Sequence, residues 1–201
     1  SSQCPNKGEC WSQGHAAFMI LGTICTRRCG FCAVSTGVPD APDPQEPAAL
    51  GETVRELDLD HCIITSVTRD DLKDAGAGHF AAAVEAIRER SPTSIELLIP
   101  DMGARREPLE KVISSGPDII GHNVEVVRRL QGVRDPRASY DVSLAALARI
   151  KEIAPGTTTK SSLMLGMGET ADEVREAMSD LRAVGVDMLA LGQYLRPRGG
   201  R

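Results

Sequence analysis

The sequence has few aromatic residues and no long hydrophobic run. Phe, Trp and Tyr make up only 3% of the chain, so its core has to be built from Leu, Ile, Val, Ala and Met. No apolar stretch approaches the roughly 20 residues that a membrane span needs. The net charge of −5 at pH 7 argues against general affinity for nucleic acid or anionic lipid. We therefore expect a globular protein that binds neither nucleic acid nor a membrane.

Cysteine is present but unevenly placed. Five of the six cysteines fall within the first 32 residues, whereas a disulfide framework is normally spread over a small secreted domain. This bunching favours metal or cluster ligation in a reducing compartment. The sixth, Cys62, lies in a predicted strand and is expected to act as a small buried hydrophobe.

Six apolar runs alternate with five helical patterns along the chain. The runs predict strands at Ala17–Gly22, Cys62–Val67, Ser94–Ile99, Asp118–Gly121, Thr158–Leu165 and Met188–Leu191. The 3.6-residue periodicity predicts helices at Pro47–Leu59, His79–Arg90, Pro108–Ser114, Ser143–Ala154 and Ala171–Val184. This alternation indicates an α/β fold with a parallel sheet, either open and doubly wound or barrel-like.

Polar or Gly-rich residues follow every predicted strand. In parallel α/β folds the chemistry gathers at the carboxyl ends of the strands. Turns make strand ends polar in most proteins, but here the first strand leads into three cysteines, which favours one active site along this edge. The later strands lead into Ser66–Asp71, Pro100–Asp101, His122–Asn123, Gly166–Glu169 and Gln193–Tyr194.

Cys25, Cys29 and Cys32 form a C-x3-C-x2-C pattern. A structural zinc site takes four ligands, and the only nearby imidazole is His15, so zinc is the weaker alternative. A [4Fe–4S] cluster also normally takes four thiolates. Three thiolates leave one iron open to bind a substrate or cofactor, which indicates a cluster that does chemistry.

This triad, with Phe31 before its last cysteine and the first strand before it, resembles the signature of the radical S-adenosylmethionine (SAM) superfamily. The resemblance implies a partial (β/α)6 barrel. It also implies that the open iron chelates the amino and carboxylate groups of SAM. The reduced cluster then passes an electron to the sulfonium, and a 5′-deoxyadenosyl radical results.

Further blocks resemble the lipoyl synthase family within that superfamily. They are CPNKGEC (4–10), ITSVTRDDLKDAGAGHF (64–80), GHNVE (121–125), TKSSLMLGMGET (159–170) and LGQYLRP (191–197). Cys4 and Cys10 match the last two cysteines of the family's C-x4-C-x5-C motif, which holds an auxiliary [4Fe–4S] cluster. Two free thiols in a flexible segment are the alternative for this pair.

The resemblance also implies how the chain is divided. We expect residues 1–16 to belong to the auxiliary-cluster segment and residues 17–201 to form a barrel core that is truncated at its C-terminus. The first cysteine of the family's auxiliary motif and its C-terminal serine motif are not in the sequence. We therefore expect SAM cleavage at best from this chain, without sulfur insertion.

The function that the resemblance implies is insertion of two sulfur atoms at carbons 6 and 8 of an octanoyl chain on a carrier-domain lysine. The carrier would be a 2-oxoacid dehydrogenase E2 subunit or glycine cleavage H protein, and a ferredoxin- or flavodoxin-type protein would supply electrons. The expected location is the bacterial cytoplasm, with the mitochondrial matrix as an alternative. Alternative functions are a biotin-synthase-like sulfur insertion and a non-catalytic iron–sulfur module.

Several residues at the strand ends are candidates for contact with SAM. Ser66 is expected to hydrogen-bond the methionyl amino group, although capping of a turn would equally account for a serine there. Asn123 would reach the ribose or carboxylate, Phe31 and Gln193 are assigned to the cofactor pocket, and His122 is expected to be a packed histidine.

Gly166 and Glu169 resemble part of the superfamily's G-x-I-x-G-x-x-E pattern, whose backbone flanks adenine, although Ser162 stands at its first glycine. Arg27 and Arg28 lie between the first two cysteines of the triad. They either offset the charge of the thiolates or form a solvated basic pair.

Overall fold

The computed structural model describes residues 6–196. Within this range the strands are β1 (His15–Ile20), β2 (Ile24–Cys25), β3 (Ser35–Thr36), β4 (His61–Ser66), β5 (Ser94–Leu98), β6 (Ile119–Gly121), β7 (Thr158–Leu165) and β8 (Met188–Gln193). The α-helices are α1 (Lys7–Ser12), α2 (Glu46–Glu56), α3 (Ala77–Arg88), α4 (Arg106–Ser114), α5 (Tyr140–Ile153) and α6 (Ala171–Ala183). Short 3-10 helices occupy Met102–Ala104 and Arg128–Val133.

Six strands form one parallel sheet in the order β1-β4-β5-β6-β7-β8. Apart from the small β2–β3 pair, this order follows the chain, with α2 to α6 as the crossover helices. A doubly wound sheet would instead reverse its strand order at a switch point. The prediction of an α/β, partial (β/α)6 barrel is confirmed.

Every predicted strand and helix is present, with ends within three residues of those predicted. The first strand begins at His15 rather than Ala17, so its first two residues fall within the 1–16 segment. The sequence did not predict α1, β2 or β3, because six or two residues are too few to show a periodic pattern.

The core is aliphatic, as the composition predicts. A larger cluster fills the space between the sheet and α2 to α4, around Ile64, Phe80 and Leu97. A second lies beneath α5 and α6, around Leu147 and Leu163. No helix among residues 6–196 is long and apolar enough to cross a membrane.

Helices α2 and α3 approach each other closely at Gly51. A Cβ atom placed on this residue would lie 2.6 Å from the carbonyl oxygen of Ala86 on α3. Glycine therefore allows the two helix backbones to pack directly.

Candidate active site

A cavity of about 200 Å³ lies at the carboxyl ends of β1, β4, β5 and β6. The sequence predicted an active site at this edge of the sheet. Its walls bring together the three thiols of the triad and three of the predicted cofactor contacts: Cys25, Cys29, Cys32, Phe31, Ser66 and Asn123.

The cysteine loop, which we define as residues 25–32, leaves the sheet through the β2–β3 pair. Cys25 is paired with Thr36 in that small ladder, and its carbonyl accepts the Gly37 N–H at 3.1 Å. The Cys32 N–H donates to the Cys29 carbonyl at 3.1 Å and closes the C-x2-C turn. The loop between is irregular, so its shape depends on contacts with other segments.

Backbone N–H groups point at all three sulfur atoms. Thr68 donates to Cys25 Sγ at 3.3 Å, Asp135 donates to Cys29 Sγ at 3.4 Å, and Val34, just after the loop, donates to Cys32 Sγ at 3.5 Å. Burial raises the pKa of the Cys29 thiol, whereas the N–H donors favour the thiolate. Hydrogen bonds to sulfur are a regular feature of iron–sulfur sites.

The arrangement fits a cluster better than a single ion. No group of three or more His, Cys, Asp or Glu side chains among residues 6–196 could hold one metal ion. A zinc ion binds each of its thiolates at about 2.3 Å and so needs them close together. The thiolates of a [4Fe–4S] cluster bind different irons and lie further apart. The donor set of three thiols suits a cluster with one open iron.

Two buried polar atoms on the cavity wall have no hydrogen-bond partner within the described range: Ser66 Oγ and Arg134 Nε. A buried polar group that stays unpaired costs about 1–3 kcal/mol. Both atoms are therefore available to a polar ligand in the cavity. The alternative that Ser66 caps a turn is not supported, because its hydroxyl makes no such bond.

Arg27 belongs to a buried ion-pair network and not to a solvated basic pair. Its guanidinium donates to Asp70 at 2.8 and 3.0 Å and to both oxygens of Asp101 on the cavity wall. Burial pushes the pKa of Asp101 upward, but the bonds from Arg27 and from the Gly103 N–H outweigh it and hold this pKa below its usual value. Arg28, by contrast, is exposed. The two arginines of the motif thus have different environments.

His122 is packed, as predicted. Its Nδ1 lies 2.8 Å from the Ile99 carbonyl, which can only accept, so Nδ1 carries the proton and Nε2 accepts from the Ser143 hydroxyl at 2.9 Å. Arg134 donates to the same hydroxyl oxygen at 3.0 Å. Burial lowers the pKa of His122 to about 4, so the ring is neutral near pH 7 and both nitrogens are occupied.

Glu125 also lines the cavity, and the sequence did not single it out. Its φ of 69° is unusual for a residue with a side chain. Bonds to β7 hold this conformation, because its carbonyl accepts the Met164 N–H at 2.8 Å and its own N–H donates to Ser162. Burial raises the pKa of its carboxyl group. The sequence feature that could have identified Glu125 is the GHNVE block (121–125), which begins at the end of β6 and ends with this residue.

Three predicted cofactor contacts lie outside the cavity wall, at the ends of β7 and β8. Glu169 accepts the N–H groups of Gly166 at 2.6 Å and of Met167 at 2.9 Å. Gln193 donates to the Leu165 carbonyl at 3.2 Å. Gly166 has a φ of 94°, and a Cβ there would collide with the Gln193 amide. The assignment of Gly166, Glu169 and Gln193 to cofactor binding stays a prediction.

The remaining cysteines lie elsewhere. Cys10 is on α1, before the amino end of β1, whereas the triad follows the carboxyl end of that strand. Cys4 lies outside the described residues. Cys62 is fully buried, and burial raises the pKa of its thiol to about 12, so the prediction of a buried hydrophobe is confirmed.

Several solved structures share this fold. Methylornithine synthase (PylB) matches 92% of the chain with a TM-score of 0.74 and 16% identity, over 55% of its own length. Streptococcus suis SuiB bound to S-adenosylmethionine matches 96% of the chain with a TM-score of 0.71 and 10% identity, over 45% of its length. At these identities the likeness concerns the fold alone.

Sequence relatives are more informative. The radical SAM superfamily profile matches residues 19–181. Lipoyl synthases of Pyrobaculum calidifontis and Deinococcus radiodurans are each 54% identical over 98% of the chain, and that of Marinobacter nauticus is 52% identical over 98%. The chain spans 68%, 60% and 57% of their respective lengths. By this similarity, and by the cysteine-lined cavity at the carboxyl edge of its barrel sheet, the chain belongs to the lipoyl synthase family of the radical SAM superfamily.

Proposed function

We propose that this chain is the core of a radical SAM sulfurtransferase that inserts two sulfur atoms at carbons 6 and 8 of a protein-bound octanoyl-lysine, making lipoyl-lysine. The observation that carries the proposal is the triad of thiols on a cavity wall that also holds the unpartnered Ser66 hydroxyl. The 54% identity to lipoyl synthases over nearly the whole chain supports the choice of substrate.

The triad would hold a [4Fe–4S] cluster and leave one iron open. When bound, the cluster and SAM supply a carbon radical that removes hydrogen from unactivated C–H bonds, which acid–base groups cannot do. Ser66 can donate to or accept from a polar group of SAM. Asn123 presents an amide to the same space, and Phe31 offers a ring face beside Cys32.

The protein's own part in this chemistry is to bind, orient and exclude water. The cavity wall carries the apolar side chains of Met19, Val34, Leu98 and Ile99 between its polar groups. These side chains keep solvent from the reacting carbon. His122 is neutral and engaged at both nitrogens, so it fixes the shape of the rim and transfers no proton.

A second, auxiliary [4Fe–4S] cluster that donates sulfur would use Cys4 and Cys10 in the segment 1–16, and residues 17–201 would form the catalytic core. Cys10 lies at the other end of β1 from the triad. This assignment predicts that Cys10 is needed for sulfur insertion and not for SAM cleavage.

The partners proposed with this function are an octanoylated lipoyl-carrier domain and an electron donor of the ferredoxin or flavodoxin type. The carrier would be a 2-oxoacid dehydrogenase E2 subunit or glycine cleavage H protein. The proposed location is the cytoplasm of a bacterium.

The proposal is tested by anaerobic reconstitution with iron and sulfide, followed by measurement of 5′-deoxyadenosine by mass spectrometry. We expect Cys29→Ala to reduce its formation to background, because a cluster with two ligands is not retained. Cys62→Ala is the matched control, since this thiol is buried away from the cavity, and it should retain SAM cleavage. An octanoyl-lysine peptide should stimulate the reaction, whereas dethiobiotin should not. Undiminished product from Cys29→Ala would refute the cluster assignment.

A further inference from the structure

The cysteine loop takes its hydrogen bonds from a distant part of the chain. We define residues 133–137, from the last residue of the second 3-10 helix toward α5, as the clamp segment. Gly30 donates its N–H to the Val133 carbonyl at 2.7 Å. Arg28 donates its N–H to Asp135 Oδ2 at 2.8 Å. Buried or crowded backbone donors need such partners, and this irregular loop has few of its own.

Asp135 is the centre of the clamp segment. It is buried, and its carboxylate accepts from the Arg137 N–H at 3.0 Å and from Arg137 Nε at 2.8 Å, in addition to the Arg28 N–H. Its own main-chain N–H donates to Cys29 Sγ at 3.4 Å. Asp135 thus holds both the N–H of Arg28, the residue before Cys29, and the sulfur of Cys29.

Arg137 ties the same carboxylate to the start of the loop. Its guanidinium donates to the Thr26 carbonyl and lies 3.3 Å from Asp70, which is itself paired with Arg27. The clamp segment is therefore joined to the backbone of the cysteine loop at three alternate residues, Thr26, Arg28 and Gly30. An ordinary surface loop has no need of a buried carboxylate with this set of donors.

We propose that Asp135 is a positioning residue for the iron–sulfur cluster: its side chain fixes the backbone N–H of Arg28, and its own N–H fixes the sulfur of Cys29. The proposal rests on the proposed function only in so far as the triad holds a cluster. The loss of a group that orients metal ligands commonly lowers metal affinity or activity by about 10–100-fold.

The test compares Asp135→Ala and Asp135→Asn with wild type in the reconstituted protein. Iron release to a chelator and the electron paramagnetic resonance spectrum of the reduced cluster are measured, and circular dichroism checks folding. We expect Asp135→Ala to release iron about tenfold faster with altered g values. Asp135→Asn keeps an oxygen that accepts the Arg28 N–H and should restore most of the retention. If Asp135→Ala does not fold, the electron paramagnetic resonance spectrum of Asp135→Asn tests the inference. This spectrum should differ from that of wild type.

Asp141→Ala is the control, because this carboxylate is 77% exposed and pairs with Arg128 on the surface. It should behave as wild type. Iron release and spectra that are unchanged in both Asp135 variants would overturn the inference alone. A wild-type protein that takes up no cluster would overturn the proposed function and the inference with it.

Discussion

His122 lies at the end of β6, where a parallel sheet commonly places catalytic groups, yet its surroundings give it a packing role. Burial is the largest influence and lowers the pKa of the ring, helped by Arg134 and Arg27, and together they outweigh the Ile99 carbonyl and Asp101, which favour the charged form. The ring is therefore neutral in the folded protein. A proton added at Nε2 would displace the hydrogen bond that this nitrogen accepts from Ser143.

This environment predicts a loss of stability in acid. The folded-state pKa of His122, about 4, lies below the roughly 6.5 of an unfolded histidine. Between these values the unfolded chain binds more protons, so the contribution of neutral His122 is complete above about pH 6.5 and is lost as the pH falls toward 4. The slope is up to about 1.4 kcal/mol per pH unit.

Urea unfolding at several pH values between 4 and 7 measures this slope. His122→Gln can still donate to the Ile99 carbonyl and does not titrate, so its free energy of unfolding should vary less with pH than that of wild type. Equal slopes for the two proteins would contradict the burial argument.

A second residue, Leu21, shows how the chain turns from β1 toward the cysteine loop. Its φ of 65° places it in the left-handed region, which is strained for a leucine. Glu46 accepts its N–H at 2.8 Å and Arg69 donates to its carbonyl at 3.4 Å. His79 in turn contacts Glu46 at 2.6 Å. Both polar groups of the strained peptide are held, so the direction of the loop is fixed before any cofactor binds.

At the scale of elements, the contact between α2 and α3 depends on Gly51. Alanine is the better helix former by about 1 kcal/mol, but a Cβ here would lie 2.6 Å from the Ala86 carbonyl oxygen. We expect Gly51→Ala to lower the free energy of unfolding by about 1–3 kcal/mol, because the helices have to separate. Chemical denaturation measures the change.

Gly156→Ala provides the control for this substitution. Gly156 lies in the turn before β7, and nothing lies within 4 Å of the position its Cβ would take. Its free energy of unfolding should stay within about 0.5 kcal/mol of wild type. A Gly51→Ala protein that is as stable as this control would show that the helices do not pack as closely as described.

At the scale of the whole molecule, the sheet ends at β8, which pairs with β7 and with no other strand of the described residues. Met188 and Leu191 on it are 43% and 48% exposed. Unpaired edges with apolar side chains favour association between chains. We expect Leu191→Lys to weaken self-association of this chain by about tenfold, or 1.4 kcal/mol, as measured by sedimentation.

Leu57→Lys serves as the comparison, because Leu57 is 56% exposed but lies at the end of α2, away from the sheet edge. Its self-association should match that of wild type. A similar decrease in both variants would mean that general hydrophobicity, and not the β8 edge, drives association.

The sequence predicted the elements of the barrel well because their periodicity is strong and each is long enough to show it. Thr158–Leu165 was predicted with both of its observed ends, and α6 was predicted with its observed first residue, Ala171. The β2–β3 pair and the left-handed turn at Met102–Ala104 were not predictable, since they arise from contacts between segments and not from a local pattern.

The candidate site was predictable in part for the same reason. The three cysteines of its triad all lie within residues 25–32, and Ser66 and Asn123 lie at or just after the ends of strands. The topology of the sheet alone therefore brings these residues to one edge. The contacts that hold Arg27 and Cys29 join residues 43 to 106 positions apart. Nothing local in the sequence marks Asp70 or Asp135 as their partners.

That separation has a consequence for synthesis of the protein. At about 5–20 residues per second, the 106 residues between Cys29 and Asp135 take on the order of 5–20 s to emerge from a ribosome. During this interval the triad is exposed without the segment that holds it. We therefore expect a cluster to be retained only after residue 135 has emerged and the contact between Asp135 and Cys29 has formed.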